Sequence, residues 1–300
     1  MKPITRQSNK KAAFTIVEVL TVMSIITLLI ALLVPALSMA KRFARKVKQK
    51  TQFHSIEVAL ELFSAEEDGY PNSDAFDGSP PPPGQLYCGA MKLCEAMMGQ
   101  DLLGFHPSSR FRADRTDGAN PLYDPATVNG RIGPYLELEN ANPYRLRNLY
   151  GTANTTFDGE LFVLCDVYTS VFHTETRKRV GMPILYFKAN ASKTIHDATN
   201  AMGSIYNFLD NDALVMLGIP SQPGVAHPMA SAGNTRYSQP SKPGIFYEHT
   251  KNEKITSVPR PYRSDSFILL SAGHDGEYGT RDDVYNFQKT LVDFAEWSLR

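Results

Sequence analysis

The sequence predicts an α+β protein: one long N-terminal α-helix, membrane-spanning in its first half, packed on a C-terminal antiparallel β-sheet domain with long loops. Three observations predict it. From Phe14 to Leu37 the chain is apolar, with Glu18 its one ionisable side chain. Phe53, Ile56, Leu60 and Phe63 then recur at spacings of 3, 4 and 3, the period of one helix face. Beyond Gly69-Tyr70-Pro71 the helical period gives way to short β-branched and aromatic runs set among Gly, Pro, Asn and Asp.

Residues 1–13 read as a basic leader carrying Lys2, Arg6, Lys10 and Lys11. Residues 14–37 read as a transmembrane and assembly helix. Its 24 residues span roughly 36 Å as a helix, enough for a hydrocarbon core near 30 Å. Thr15, Thr21, Ser24 and Thr27 can bond back to the helix backbone, and Pro35 falls near the far end, where a kink is tolerable. Glu18 is the anomaly, because a carboxylate in hydrocarbon costs about 2.5–3.5 kcal/mol on insertion scales. If the chain is cut after Ala13, Phe14 carries a positive amine about one turn from Glu18, and Glu18 could also meet the amine of a neighbouring copy.

Residues 38–70 read as the amphipathic continuation of the same helix, ended by the Gly69-Tyr70-Pro71 turn. The basic run Lys41–Lys50 reads as a solvated helix face just outside a bilayer. The rival is a cleaved secretory signal, with Ser38-Met39-Ala40 as a small-x-small cut. Against it stand the length of the apolar run, Glu18 inside it, and a helical stripe that continues past the supposed cut.

Residues 71–300 read as one globular domain. Residues 72–160 are loop-rich, with Pro80–Pro83 an extended polyproline stretch and Met91–Leu103 a short helix carrying Cys94 and Met98 on one face. Glu160–Tyr168, Met182–Lys188 and Ser266–Leu270 are the strand candidates, and Ser204–Leu217 holds a short helix. Residues 219–261, with seven prolines, read as a long loop or insertion, and Val284–Leu299 as a closing helix with Leu291, Phe294, Ala295 and Trp297 apolar.

Lys+Arg and Asp+Glu both number 31, and losing the leader leaves 27 basic side chains against 31 acidic ones. No large basic surface is implied, so nucleic acid is not an expected partner. Three cysteines are too few for a disulfide scaffold. Cys88 and Cys94 could bridge if the domain is exported, whereas Cys165, in an apolar run, reads as a small buried residue.

Ala13, Phe14, Glu18 and Pro35 carry a family resemblance. The segment resembles the N-terminus of type IV pilins and of the pseudopilins of type II secretion. That family has a short basic leader, a cut before Phe, a Glu four residues after that Phe and often a Pro seventeen residues after the Glu. The family has Gly before the cut, where this chain has Ala13. The resemblance implies cleavage by a prepilin peptidase between Ala13 and Phe14, N-methylation of Phe14, and a role for Glu18 in registering subunits. It further implies a single-pass inner-membrane protein with its domain in the periplasm. That protein would polymerise into a fibre with copies of itself and other pseudopilins on an inner-membrane assembly platform.

The second informative cluster is Ser271–Asp283, with four carboxylates (Asp275, Glu277, Asp282, Asp283) and Gly273, Gly276 and Gly279 to turn the backbone. A flexible acidic loop of this kind could supply the six to eight oxygens calcium prefers; it does not match the EF-hand, and a plain acidic hairpin reads equally well. The loop is similar to the C-terminal calcium loop of the major pseudopilin. That likeness implies structural calcium held by Asp275, Asp282 and Asp283, with main-chain carbonyls near Ser271 and Glu277 facing solvent. Tyr70-Pro71 adds a weak further likeness. Residues between these ends match no family pattern.

Enzyme motifs are lacking: no Gly-x-Ser-x-Gly, His-Glu-x-x-His, phosphate loop or dinucleotide fingerprint is present. No catalytic residue is therefore expected, and His196-Asp197 reads as a chance neighbour pair. The expected function is a structural pseudopilin subunit of a type II secretion-type fibre. The alternatives are a type IV pilus or competence subunit and, in another class, a membrane-anchored periplasmic enzyme or binding module.

Overall fold

A computed structural model describes residues 15–77, 85–152, 156–220, 222, 224–230 and 244–288. The leader, Ala13, Phe14, Pro80–Pro83 and residues 289–299 lie outside the described residues. The chain divides into two units, Met1–Arg45 and Lys46–Arg300.

Helix α1 runs Ile16–Glu66, continuing through Pro35. Its start has a local cause. Thr15 is the N-cap, and its hydroxyl accepts from the Glu18 N–H at 3.2 Å. The Glu18 carboxylate reaches back to accept from the Thr15 N–H and hydroxyl, each at 2.8 Å. This Thr-x-x-Glu capping box satisfies helix-start donors that have no partner further along the chain. The end is equally defined. Asp68 takes the left-handed conformation (φ 55°), and the Gly69 N–H closes back on Ser64 O at 3.1 Å, the six-to-one bond of a Schellman stop.

In the second unit the elements follow in the order α2 (Gly89–Met98), α3 (Leu138–Ala141), β1 (Pro143–Arg145), α4 (Leu146–Tyr150), β2 (Phe162–Leu164), β3 (Val171–Phe172), β4 (Arg179–Val180) and β5 (Leu185–Lys188). They continue with α5 (Leu209–Val215), α6 (Gly244–Thr250), β6 (Phe267–Ser271) and β7 (Val284–Tyr285). All named strand pairs are antiparallel: β1 with β2, β3 with β4, and a three-stranded sheet in the order β5-β6-β7. Leu185 faces Leu270 and Lys188 faces Phe267 across the central pair.

The sheet is buried on both faces, and the two-residue period of its strands assigns each side chain to one of two cores. Tyr186, Phe267, Leu269 and Val284 join the α1 residues Phe53, Ile56, Ala59, Leu60 and Phe63, together with Leu93, Cys94 and Met97 of α2. Leu185, Phe187, Ile268 and Leu270 point the other way, toward Leu214 and Val215 of α5 and Phe246 and Tyr247 of α6. The predicted stripe 53–56–60–63 is thus the helix face that meets the sheet, with Ala59 filling the turn between.

Several expectations change. Helix α2 occupies Gly89–Met98 rather than Met91–Leu103, and all ten residues are buried, so it has no solvent face. The Gly99 N–H closing on Glu95 O at 2.7 Å ends it early. The long loop 219–261 contains α6. The closing helix does not begin at Val284, because Val284 and Tyr285 form β7 against Ser271 and Leu270. Cys88 and Cys94 are free, buried thiols. Cys88 caps α2 and Cys94 lies six residues on, an axial rise of ~9 Å, which no disulfide spans.

Two buried glutamines, unforeseen from sequence, tie α1 to the domain. Gln49 Oε1 accepts from the Val167 N–H at 2.9 Å. Gln52 Nε2 donates to Asn140 O and Cys165 O, both at 2.9 Å. Their amides meet backbone groups of α3 (Asn140 O) and of the segment just past β2 (Cys165 O and the Val167 N–H).

Candidate functional site

In the first unit, every apolar side chain from Ile16 to Leu37 is exposed, from 44 % at Ile26 to 77 % at Ile16. The helix is long and apolar enough to cross a membrane. An unbroken apolar surface of this size marks a membrane or protein contact. Hydroxyls along it are satisfied within the helix: Thr21 donates to Glu18 O, Thr27 to Met23 O and Ser38 to Val34 O. Glu18 is exposed and engaged with Thr15, a partner the sequence reading overlooked although Thr-x-x-Glu was its signal. Pro35 sits inside the helix, where its missing N–H and ring remove one backbone bond.

In the second unit, the acidic loop leaves β6 and returns through β7. Its turns need glycine. At Gly273 φ is +66°, and a Cβ would sit 2.3 Å from Asp282 O. Asp282 closes the loop: Oδ2 accepts from the His274 and Asp275 N–H groups at 2.6 and 3.1 Å, and Oδ1 from the Thr280 hydroxyl at 2.6 Å. Asp275 Oδ1 accepts from the Glu277 N–H at 2.8 Å.

The carboxyls of Asp275 and Asp282 also contact each other. Burial and then the neighbouring Asp282 push Asp275 up to about 7, while its bonds hold Asp282 below the usual carboxylate range. Two carboxyls in contact hold a proton or a cation between them.

The other predicted ligands face elsewhere. Asp283 Oδ2 accepts from the Gly279 N–H at 2.9 Å and lies 3.9 Å from Nδ1 of His249 on α6. The Ser271 hydroxyl donates to Asp166 Oδ2 at 2.7 Å and accepts from the Gly273 N–H at 3.2 Å. Glu277 is buried, at 5 % exposure, which corrects its expected place in solvent. Among the described residues no group of three or more His, Cys, Asp or Glu side chains is placed to hold a metal. Of the four residues expected as ligands, only Asp275 and Asp282 bring their carboxyls together.

Two residues beneath the loop escaped the sequence reading. Asp166 is fully buried, accepts from the Tyr168 and Met182 N–H groups at 3.1 Å each, and is pushed up to about 8 by that burial. Gly181 makes room for it, since a Cβ there would stand 2.0 Å from Asp166 O. His227 Nε2 donates to Gly218 O at 3.1 Å and Nδ1 accepts from the Tyr278 N–H at 3.2 Å. Burial holds this ring neutral by lowering its pKa to about 4. No motif announces either residue; both acquire their role through contacts distant in sequence.

His196 and Asp197 turn to different partners. His196 Nε2 bonds Tyr247 O and the Thr250 hydroxyl at 3.1 and 3.0 Å. Asp197 caps the turn that follows by accepting from the Thr199 N–H and hydroxyl. Comparison with protein-family models, with curated proteins and with solved structures finds no match to this chain.

Proposed function

We propose that this chain is a pilin-like structural subunit of a type II secretion-type fibre. The observation that carries the reading is the division of labour along α1. One helix has every side chain from Ile16 to Leu37 exposed, while its continuation buries Phe53, Ile56, Leu60 and Phe63 under an antiparallel sheet. The apolar part suits a single pass through the inner membrane and, later, the packed helices of a fibre; the other part carries a periplasmic domain.

Cleavage by a prepilin peptidase between Ala13 and Phe14 would leave a methylated amine one turn from Glu18. Copies of this chain, other pseudopilins and an inner-membrane platform are the partners of assembly. Within the loop, Asp275 and Asp282 would hold a structural calcium ion in place of their shared proton, and the cation would supply the charge that lets both ionise. The function is polymerisation and extrusion.

The test is mass spectrometry of the mature N-terminus together with Glu18→Ala. A start at methylated Phe14, and normal membrane insertion with lost assembly in the variant, are expected. A start at Met1 or Lys41, or unchanged fibres, overturns the reading.

A further inference from the structure

In the first unit, the apolar surface of α1 does not end at a single level around the helix. Met39 and Phe43, four residues apart, carry it past Leu37 and are 72 and 70 % exposed. Lys41 and Arg45, also four apart, stand on the other side, with Arg42 beside them. At about 100° per residue, positions 41 and 45 lie about 40° from each other, and position 43 lies about 160° from both. The helix therefore leaves its apolar stretch with one face still apolar and the opposite face cationic. Such a cross-section suits the boundary between acyl chains and headgroups, where an amphipathic helix is stable.

These cations find no counter-charge in the chain. No Asp or Glu occurs between Glu18 and Glu57, so none lies three or four residues from Lys41, Arg42 or Arg45. All three are exposed, and among the described residues none of them forms an ion pair. Their depth also fits. Ile16–Leu37 is 22 residues, ~33 Å of helix against a hydrocarbon core of about 30 Å. Lys41 and Arg42 stand ~6–8 Å beyond Leu37, and headgroups occupy roughly 5–8 Å on each side of that core. Arg45 stands ~12 Å beyond, and its long stem turns the guanidinium back to the same level. A guanidinium grips two phosphate oxygens at once. On the fibre reading these cations lie on the periplasmic side, against the usual cytoplasmic excess of Lys and Arg, so they do not act there as topology signals.

We propose that Lys41, Arg42 and Arg45 bind the phosphate groups of anionic phospholipid in the leaflet that α1 leaves at Leu37, while Met39 and Phe43 rest against its acyl chains. The inference rests on the membrane span of the proposed function and adds a lipid preference to it. The contact fixes the depth of α1 in the bilayer, because sliding along the helix axis pulls the cations off the phosphates or draws Leu37 into water. In a fibre subunit it is also a contact that must break when the helix is withdrawn.

The experiment places the full-length chain in vesicles of equimolar phosphatidylcholine and phosphatidylglycerol, with a trace of either lipid spin-labelled. Electron paramagnetic resonance reads the share of labelled lipid held at the protein. Phosphatidylglycerol should be held about fivefold more strongly than phosphatidylcholine, the gain of one cation near an anionic group. Lys41→Gln, Arg42→Gln and Arg45→Gln together should bring the ratio to about one. The conservative set Lys41→Arg, Arg42→Lys and Arg45→Lys should keep it, which separates charge from misfolding. Arg177→Gln with Lys178→Gln, at exposed cations of the turn between β3 and β4, should also leave it unchanged.

A ratio that survives the three Gln substitutions overturns the proposal, as does one that falls equally with Arg177→Gln and Lys178→Gln, the mark of net charge alone. Loss of the preference in inorganic phosphate, but not in sodium chloride of equal ionic strength, would assign the cations to a soluble anion. A wild-type ratio of one, with self-association weakened by the Gln set, would assign them to a neighbouring copy; either result sinks the lipid site. A methylated Phe14 start without lipid preference removes this inference alone. A Met1 start with the preference intact removes the fibre reading alone, and a start at Lys41 removes the span and both with it.

Discussion

Residues Ile16–Arg45 and Lys46–Glu66 belong to one α-helix, yet they sit in different units and obey different rules. In the first part the apolar residues surround the helix and none is buried; in the second they divide into an inner stripe under the sheet and an outer stripe in the open. A helix that is apolar all round needs a medium, whereas a helix with a stripe needs a surface. The contrast teaches that hydrophobicity alone does not place a residue in a core. Periodicity does, because only a face of fixed angular width can be covered by one sheet.

The largest break of this comparison comes from truncating the inner stripe. Leu60→Ala, at a position with no exposure, should cost about 2–5 kcal/mol. Leu29→Ala, at a position 60 % exposed, should move domain stability by less than about 0.5 kcal/mol. Denaturant unfolding of the full-length chain in mild detergent checks both, and equal effects would erase the distinction. A smaller effect is expected for Gln52→Leu. It strips the donor from Asn140 O and one of the two donors from Cys165 O, which keeps Asn142 Nδ2, and should cost about 1–3 kcal/mol through the lost bonds.

Ionisation sharpens the picture of the domain. Burial raises Asp166 to about 8 and Asp210 to about 7. A carboxyl whose folded pKa lies above its unfolded value near 3.9 leaves the fold most stable where it is protonated in both states. Stability should therefore be highest below about pH 4, decline as pH rises from there, and level off once pH has passed 7 to 8, as far as these two groups govern it. Asp166→Asn and Asp210→Asn should flatten that decline, and pH-dependent melting curves of the three proteins would show a persistent slope if the assignment is wrong.

Calcium should raise the melting temperature of the wild type more strongly above pH 7 than below, because it displaces the proton between Asp275 and Asp282. Asp275→Asn keeps the bond from Glu277 and should abolish the calcium effect. An undiminished rise would remove the ion from this pair. The smallest effect belongs to the helix start. Thr15→Val breaks the capping box and should cost about 0.5–2 kcal/mol locally, seen as faster amide exchange over the first turn with the domain's melting unchanged.

Legibility followed the range of the interactions. The helix and its sheet-facing stripe were readable because they depend on residues three and four apart. The strand candidates were placed correctly but drawn too long at Glu160–Tyr168 and Met182–Lys188. Only Phe162–Leu164 and Leu185–Lys188 find strand partners, and a strand's ends depend on its neighbour. Helix α6 was missed because the prolines around it masked Gly244–Thr250. In the acidic loop, sequence proximity suggested one cluster, but side-chain direction divided it. Asp275 and Asp282 meet, Asp283 turns to Gly279 and His249, and Ser271 to Asp166.

The sequence by itself determined the long helix, its apolar first half, the Thr15–Glu18 cap, the inward stripe and the glycine-turned acidic loop, since each is set by local spacing and backbone preference. Tertiary structure alone decided that the central sheet is buried on both faces and that Gln49 and Gln52 serve as backbone partners. It also decided that Asp166 and His227 lie beneath the loop. Those outcomes depend on which groups remain unpaired after distant segments meet, and burial makes each unpaired group too costly to leave without a partner.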